Sequence, residues 1–147
     1  MAPIGSRHLS KVNRLSRILG QQTGGEAIVS TQNPVSLPPE NEPLPDIALL
    51  RARADDYEST VPTAGDVLLL IEVADTTLAY DRDVKVALYA RHGIAEVWLV
   101  DLQSETLSIY LDPGPKGYKK LLSPAKNETI SPSLLPQTKV SLSDVWL

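Results

Sequence analysis

The sequence predicts a domain of mixed α/β class, in which a central mixed β-sheet is flanked by helices. The first observation is a continuous aliphatic run from Val67 to Ile71, which is typical of a strand buried on both faces. The second is the segment 76–93, where apolar side chains recur at helical spacing between threonines and a glycine. The third is a succession of strand-like segments at 95–101, 106–112 and 117–123, whose order predicts a hairpin or meander.

The composition is that of one ordinary globular domain, which we assign to residues 1–147. Hydrophobic residues make up 42% of the chain and charged residues 22%, and no cysteine is present to form a disulfide or a thiolate metal site. The longest aliphatic run is too short to cross a bilayer, and the N-terminus lacks the apolar stretch of a signal peptide. We therefore expect a cytoplasmic protein without a membrane segment. The formal charge of −4 argues against attraction of nucleic acid to the whole surface.

The N-terminal segment predicts an amphipathic helix from Ser6 to Leu19, with Gly20 as its end. Five apolar residues lie on one side at helical spacing: Leu9, Val12, Leu15, Ile18 and Leu19. Four basic residues form a stripe on the other side: Arg7, Lys11, Arg14 and Arg17. We favour a solvated face for this basic stripe. The alternative is contact with nucleic-acid phosphates through Lys11, Arg14 and Arg17.

The remaining segments predict short strands joined by loops. Strands are expected at 26–31, 34–38 and 46–50, with a proline-rich surface loop at 38–45. A long polar connection follows from Arg51 to Gly65, and residues 138–147 predict a short strand and a final helical turn. The predicted apolar side of the helix at 76–93 carries four residues: Tyr80, Val84, Ala87 and Leu88.

One carboxylate interrupts the most apolar strand. Glu72 lies within the predicted strand 66–74, and burial of an unpaired carboxylate costs several kcal/mol, so the residue needs a partner, a metal ion or an opening to water. Asp46 begins the preceding predicted strand, and the two carboxylates converge at one sheet edge if these strands are neighbours. Together with the backbone carbonyl of Val73, they would supply the hard oxygen ligands that Mg²⁺ or Mn²⁺ prefers.

Lys85 completes this candidate site. It lies in the following helix, from which its long side chain can reach back over the strand end. An ammonium group there would orient an attacking water, while a divalent ion lowers the pKa of bound water and neutralises phosphate charge. The combination of metal ion and lysine predicts a phosphodiesterase.

Each of these residues also has a structural interpretation. Asp46 follows a proline, as turn residues often do, and Lys85 lies four residues after Asp81, at the spacing of an exposed ion pair. Glu72 bonded to a nearby arginine or to backbone is an alternative that stays open beside the metal site. Isolated histidines and paired aspartates are interpreted as surface, satisfied or capping residues: His8, His92, Asp55, Asp56, Asp81 and Asp83.

The central stretch resembles a known family. It runs as "PLPDIALL" at 43–50 and as "LLLIEVADTTLAYDRDVKVALYARHGIAEVWLVDL" at 68–102. Its helical part has the pattern Tyr-Asp-x-x-x-Lys-x-x-x-Tyr, formed by Tyr80, Asp81, Lys85 and Tyr89. These residues closely resemble a bacterial family of restriction endonucleases in the PD-(D/E)XK nuclease superfamily. The resemblance extends to residues 3–19, 28–35 and 117–123, and so covers nearly the whole chain.

The resemblance implies a restriction-endonuclease-like core and a set of catalytic residues. Asp46 takes the place of the aspartate in the PD element, and Glu72 takes that of the second acidic residue. The usual lysine of the superfamily falls at Ala74 in this chain. In this family the lysine is displaced onto the helix, which points to Lys85.

The resemblance also implies two neighbours of the site and a short N-terminus. His8 matches a histidine in the N-terminal helix of the family, and Tyr89 belongs to the helical pattern; neither is assigned a step. Family members begin with a further helix and hairpin, and this chain starts after that segment. We therefore expect an N-terminally short form of the domain.

The leading hypothesis is a Mg²⁺-dependent endonuclease that hydrolyses the phosphodiester bonds of DNA, with Mn²⁺ as a substitute ion. In it Asp46 and Glu72 hold the metal, and Lys85 positions water or stabilises charge. The alternative is a non-catalytic nuclease-fold module that binds nucleic acid or a protein partner, in keeping with the acidic net charge. A homodimer formed through an exposed sheet edge is compatible with either hypothesis.

Overall fold

A six-stranded β-sheet forms the centre of the molecule in a computed structural model that describes residues 5–147. Its strands lie side by side in chain order: β1 (Ala27–Thr31), β2 (Ile47–Arg51), β3 (Val67–Ala74), β4 (Glu96–Asp101), β5 (Thr106–Gly114) and β6 (Gly117–Leu122). Neighbouring strands are antiparallel except for β3 and β4, which are parallel. The predicted mixed sheet is therefore confirmed, and its last three strands form the predicted meander.

The parallel pair requires a connection that returns the chain to the same end of the sheet. A helical segment at 78–91, which we call the crossover helix, makes this connection. It consists of α2 (Leu78–Tyr80), a π-helical segment (Asp81–Lys85) and α3 (Val86–Arg91). A π-helical turn holds more residues than an α-helical turn, so side chains beyond it are rotated relative to an uninterrupted α-helix.

The other elements lie at the two ends of the chain and before β3. α1 (Ser6–Thr23) precedes β1, and a short 3₁₀ turn (Ala64–Asp66) precedes β3. β7 (Thr129–Ile130) and β8 (Val140–Ser141) pair in a small second sheet, and α4 (Leu142–Val145) follows β8. None of the helices within residues 5–147 is both long enough and apolar enough to cross a membrane.

Two apolar layers cover the central sheet. On one face α1 packs residues such as Leu15 against Ile71, and on the other the crossover helix packs residues such as Val86 against Leu70. Because successive strand residues point to opposite faces, coverage on both sides buries every residue of β3. Glu72 lies on the same face as Leu70 and is therefore beneath the crossover helix.

The end of α1 differs from the predicted one. The helix does not stop at Gly20 but continues to Thr23, and Gly24 after it has a φ of 55°. A glycine inside a helix costs only about 1 kcal/mol, so Gly20 does not have to end it. Gly24 adopts the left-handed conformation in which a glycine, without a Cβ, meets no steric penalty.

Residues 34–38 do not form the predicted strand. Ser36 and Leu37 make only isolated bridges, to Thr63 and Asn41. The prolines at both ends of this segment lack the N–H group that a strand ladder needs. The apolar side chains of this segment are buried in a packed loop instead of a strand.

The buried side of the crossover helix is not the predicted side. Tyr80 and Val84 are 57% and 48% exposed, whereas Asp81, Val86 and Tyr89 are buried. The step from Asp81 to Val86 spans five residues, which is the spacing of a π-helical turn and not of the α-helix assumed from the sequence. The interpretation of Asp81 as a solvated or capping residue is therefore wrong.

Candidate active site

Asp46 is fixed where the pairing of β2 and β3 ends. The last paired residues are Ile47 and Ile71, so Asp46 and Glu72 are the next residues along the two strands. Asp46 Oδ2 accepts a hydrogen bond from the backbone N–H of Val73 at 2.8 Å. The carboxylate thereby satisfies a strand N–H that has no strand partner beyond the end of the ladder.

Glu72 meets two partners from the crossover helix. The residue is 1% exposed, and its Oε1 accepts a hydrogen bond from the Tyr89 hydroxyl at 2.7 Å. Its Oε2 lies 3.4 Å from Lys85 Nζ. These partners are a phenol and an ammonium group, not the arginine or backbone group of the structural interpretation.

Lys85 is held between two carboxylates. Besides its contact with Glu72, its Nζ lies 3.2 Å from Asp81 Oδ1, and the other oxygen of Asp81 accepts a hydrogen bond from the Thr77 hydroxyl at 2.7 Å. The ion pair expected from the sequence spacing is present, but its aspartate is buried. The π-helical segment begins at Asp81 and ends at Lys85, so it sets the position of the lysine relative to both carboxylates.

His8 approaches the site from α1. Its Nε2 lies 3.1 Å from Asp46 Oδ2, and both side chains are largely shielded from solvent. Its Nδ1 is buried and has no hydrogen-bond partner among residues 5–147. A proton on Nε2 makes the contact a hydrogen bond to the carboxylate, and we assign the proton there on this geometry. Two donors then hold Oδ2, while Oδ1 of Asp46 accepts no hydrogen bond within the described part of the chain.

The electrostatics of the site favour a proton or a cation at Glu72. Burial raises the pKa of Glu72 to about 8, and the negative charge of Asp46 adds to the rise. Partial burial lowers the pKa of Lys85, but the carboxylates of Glu72 and Asp81 outweigh it and the net shift is upward. Lys85 therefore keeps its positive charge at neutral pH. Burial and the Glu72 charge also raise the pKa of Tyr89, which stays a hydrogen-bond donor.

The residues present fit a divalent ion that prefers oxygen ligands. Within residues 5–147 no group of three or more His, Asp or Glu side chains could hold a metal ion by itself. Asp46 and Glu72 would therefore be joined by the carbonyl of Val73 and by water. A strand residue presents its carbonyl and its N–H on the same side, and the Val73 N–H faces Asp46. A divalent ion would also relieve the repulsion between the two carboxylates.

Two of the four basic residues of the stripe on α1 contact the C-terminal helix. Lys11 Nζ donates to the carbonyl of Val145 at 2.6 Å, and Arg14 Nη1 donates to the same carbonyl at 3.2 Å. Cations at this position satisfy carbonyl groups that the short helix α4 leaves free at its end. Arg17 is exposed and makes no side-chain hydrogen bond within residues 5–147.

Thr77 and Asp81 are the part of the site that sequence reasoning missed. The spacing of Asp81 and Lys85 in the sequence predicts only an exposed pair. The available signal was the position of this aspartate inside the family pattern, next to the lysine already assigned to the site. Helical periodicity does not predict that Asp81 faces inward, because it assumes an uninterrupted α-helix.

Comparison of the sequence with known families gives one decisive match. The profile of the family named Uma2, described as "Putative restriction endonuclease", matches residues 1–143. The chain belongs to the Uma2 family. The family expected from the resemblance is thereby confirmed. No curated protein matches the chain.

The fold of this Uma2 family member is similar to that of a solved structure from Anabaena variabilis. That structure is described as "a putative nuclease belonging to DUF820", and it superposes with a TM-score of 0.76 at 14% sequence identity. The alignment covers 99% of this chain and 83% of that chain. An identity this low shows the fold alone, and it confirms the predicted nuclease-like core.

Proposed function

We propose that this Uma2 family member is a Mg²⁺-dependent nuclease that hydrolyses phosphodiester bonds in DNA. One observation carries the proposal: Asp46 immediately before β2, Glu72 in β3 and Lys85 in the crossover helix lie together at the end of the β2–β3 pairing. The description of the family and that of the similar structure support a nuclease.

Asp46 and Glu72, with the Val73 carbonyl, would hold the ion. A bound Mg²⁺ lowers the pKa of its water and neutralises charge on the scissile phosphate. His8 and the Val73 N–H hold one oxygen of Asp46, which orients the other oxygen towards a ligand. Each carboxylate oxygen has more than one lone pair, so Glu72 can bind an ion while it accepts from Tyr89.

Lys85 supplies the positive charge of the site. Its ammonium group contacts Glu72 and Asp81, and its side chain is 33% exposed. From there it would orient the attacking water, or stabilise the negative charge that develops on the phosphate. Contact with two carboxylates keeps this group charged, which suits electrostatic stabilisation and not proton abstraction.

Cleavage of supercoiled plasmid in the presence of Mg²⁺ or Mn²⁺ tests the proposal. The Asp46→Asn, Glu72→Gln and Lys85→Ala variants should each lose at least about a hundredfold in rate. Asp83→Asn is the matched control, because Asp83 is an exposed carboxylate on the same helix whose partner is Arg82. Cleavage that persists in all three site variants would overturn the assignment.

Metal binding gives a second measurement that does not depend on cleavage. Mn²⁺ should raise the melting temperature of the wild-type protein by mass action, and the Glu72→Gln variant should lose this gain. The non-catalytic alternative would be favoured if the protein bound DNA without cleaving it. That binding would need Arg17 and would survive the loss of Glu72. The carbonyl contacts of Lys11 and Arg14 weaken that alternative, since they engage two of the three residues that it assigns to phosphate binding.

A further inference from the structure

A cavity of about 530 Å³ opens beside the candidate active site. One wall is the crossover helix, and the other is the proline-rich loop 38–45 that leads to Asp46. Lys85 and Tyr89, the two partners of Glu72, both line it. The cavity is therefore continuous with the site at which the proposed nuclease would act.

Exposed apolar side chains are concentrated in this cavity. Leu44, Tyr80 and Val84 line it, and they are 60%, 57% and 48% exposed. They make up three of the nine large hydrophobic side chains that are exposed within residues 5–147. Apolar surface gathered in this way at a binding site indicates a ligand with an apolar face of its own.

The charges around the cavity are divided between its two walls. Glu40 and Glu42 lie on the loop, whereas Lys85 and Arg91 lie on the helix. The loop side repels phosphate and offers acceptors to amino groups, while the helix side attracts phosphate. A nucleotide carries both kinds of group, with its phosphate and its base at opposite ends.

The spacing of Lys85 and Tyr80 suits such a nucleotide. Lys85 Nζ lies 6.0 Å from the centre of the Tyr80 ring. A phosphate beside this ammonium group therefore brings its own base close to the ring. Aromatic side chains bind bases of any sequence by stacking, because every base has a π-face.

We propose that the cavity binds one unpaired nucleobase between Leu44 and Tyr80, and that the substrate is single-stranded or frayed DNA. This inference rests on the proposed function and names its substrate class. In a paired duplex both faces of each base are stacked on neighbouring bases, so Tyr80 would have no apolar face to contact. Only an unpaired or displaced base can enter.

Binding of a labelled oligothymidine, compared with a duplex of the same length, tests the inference. Fluorescence anisotropy in EDTA measures both affinities without metal-dependent cleavage. The single strand should bind more tightly than the duplex. Tyr80→Ala should weaken single-strand binding about tenfold, and Tyr80→Trp should preserve it. Leu134→Ser, which removes an exposed leucine outside the cavity, is the matched control and should have no effect.

Three results would overturn the inference. They are equal affinity for both DNA forms, a Tyr80→Ala variant that binds the single strand like wild type, and a dimer in solution that Tyr80→Ala dissociates. The last result would assign the cavity to a second copy of the chain.

The cleavage assay separates this inference from the proposed function. Single-strand binding that depends on Tyr80, without any cleavage in Mg²⁺, supports the cavity and rejects the nuclease. Plasmid cleavage that depends on Glu72, with no effect of Tyr80→Ala on either DNA form, supports the nuclease and rejects the cavity.

Discussion

The Tyr89 hydroxyl donates a hydrogen bond to Glu72 Oε1 at 2.7 Å, and both residues are buried. Tyr89→Phe leaves the buried Glu72 side chain one hydrogen-bond donor short and should lower the free energy of unfolding by about 1–3 kcal/mol. Urea denaturation measures the change. Tyr110→Phe is the control, because the Tyr110 hydroxyl bonds to no protein group within residues 5–147. Equal stability of the Tyr89→Phe variant and wild type would mean that water satisfies Glu72.

The raised pKa of Glu72 predicts a stability that falls as pH rises. Between about 4.5 and about 8, the folded protein holds a proton on Glu72 that the unfolded chain has released. The folded state therefore binds more protons, and the free energy of unfolding decreases with pH across this window, by up to about 5 kcal/mol. In EDTA, Glu72→Gln should remove most of this decrease, measured by urea denaturation from pH 4.5 to pH 8. A wild-type profile parallel to that of the variant would contradict the prediction.

Asp81 and Asp83 are two residues apart, but only Asp81 is buried. Asp81→Asn removes a charge that pairs with Lys85 inside the protein, and should lower the free energy of unfolding by about 1–3 kcal/mol. It should also reduce kcat for DNA cleavage, since it displaces the ammonium group that would stabilise charge on the reacting phosphate. Asp83→Asn should match wild type in both measurements. Equal effects of the two substitutions would show that the buried pair does not position Lys85.

His8 should affect the metal affinity of the site through Asp46. His8→Ala frees Asp46 Oδ2 from one of its two donors, so the carboxylate loses orientation. Loss of such a supporting contact typically costs about tenfold to a hundredfold in metal affinity. Isothermal titration calorimetry with Mn²⁺ measures the change in metal affinity, and His92→Ala serves as the control. Unaltered affinity in the His8→Ala variant would show that Val73 alone orients Asp46.

The basic stripe should contribute to stability more than to DNA binding. Arg14→Ala removes a donor to the Val145 carbonyl and should lower the free energy of unfolding by about 1 kcal/mol. Arg17→Ala should leave stability unchanged. Thermal denaturation compares the two variants, and DNA binding measured in parallel should be weakened little by Arg14→Ala. A large loss of DNA affinity without loss of stability would restore the phosphate-binding interpretation.

The strands could be predicted from the sequence because their patterns are local. The aliphatic run before Glu72 predicts a strand that is buried on both faces, and Glu72 is 1% exposed in the structure. The reach of Lys85 to the strand could also be predicted, since it needed only a long side chain on the next helix. The family resemblance predicts that Asp46 and Glu72 belong to one site, without any information about the distance between them.

The remaining features had no local signal. A π-helical segment inserts an extra residue into an otherwise α-helical pattern, so the periodicity of Tyr80 and Val84 indicated the wrong buried side. The contact between Lys11 and Val145 joins residues 134 positions apart, and periodicity within one helix carries no information about such a partner. Periodicity therefore predicts a solvated basic stripe, whereas the fold brings it into contact with the C-terminal end of the chain.

The π-helical segment between Asp81 and Lys85 makes the site depend on the number of residues as well as on their identity. Loss of one residue there would place the lysine three residues after Asp81 instead of four, and would change its position relative to both Asp81 and Glu72. A substitution scan would miss this dependence, because a substitution changes a side chain but not the number of residues in the π-helical segment. In an alignment of related chains, a one-residue gap at this place would mark members that have lost the lysine position while keeping every acidic residue.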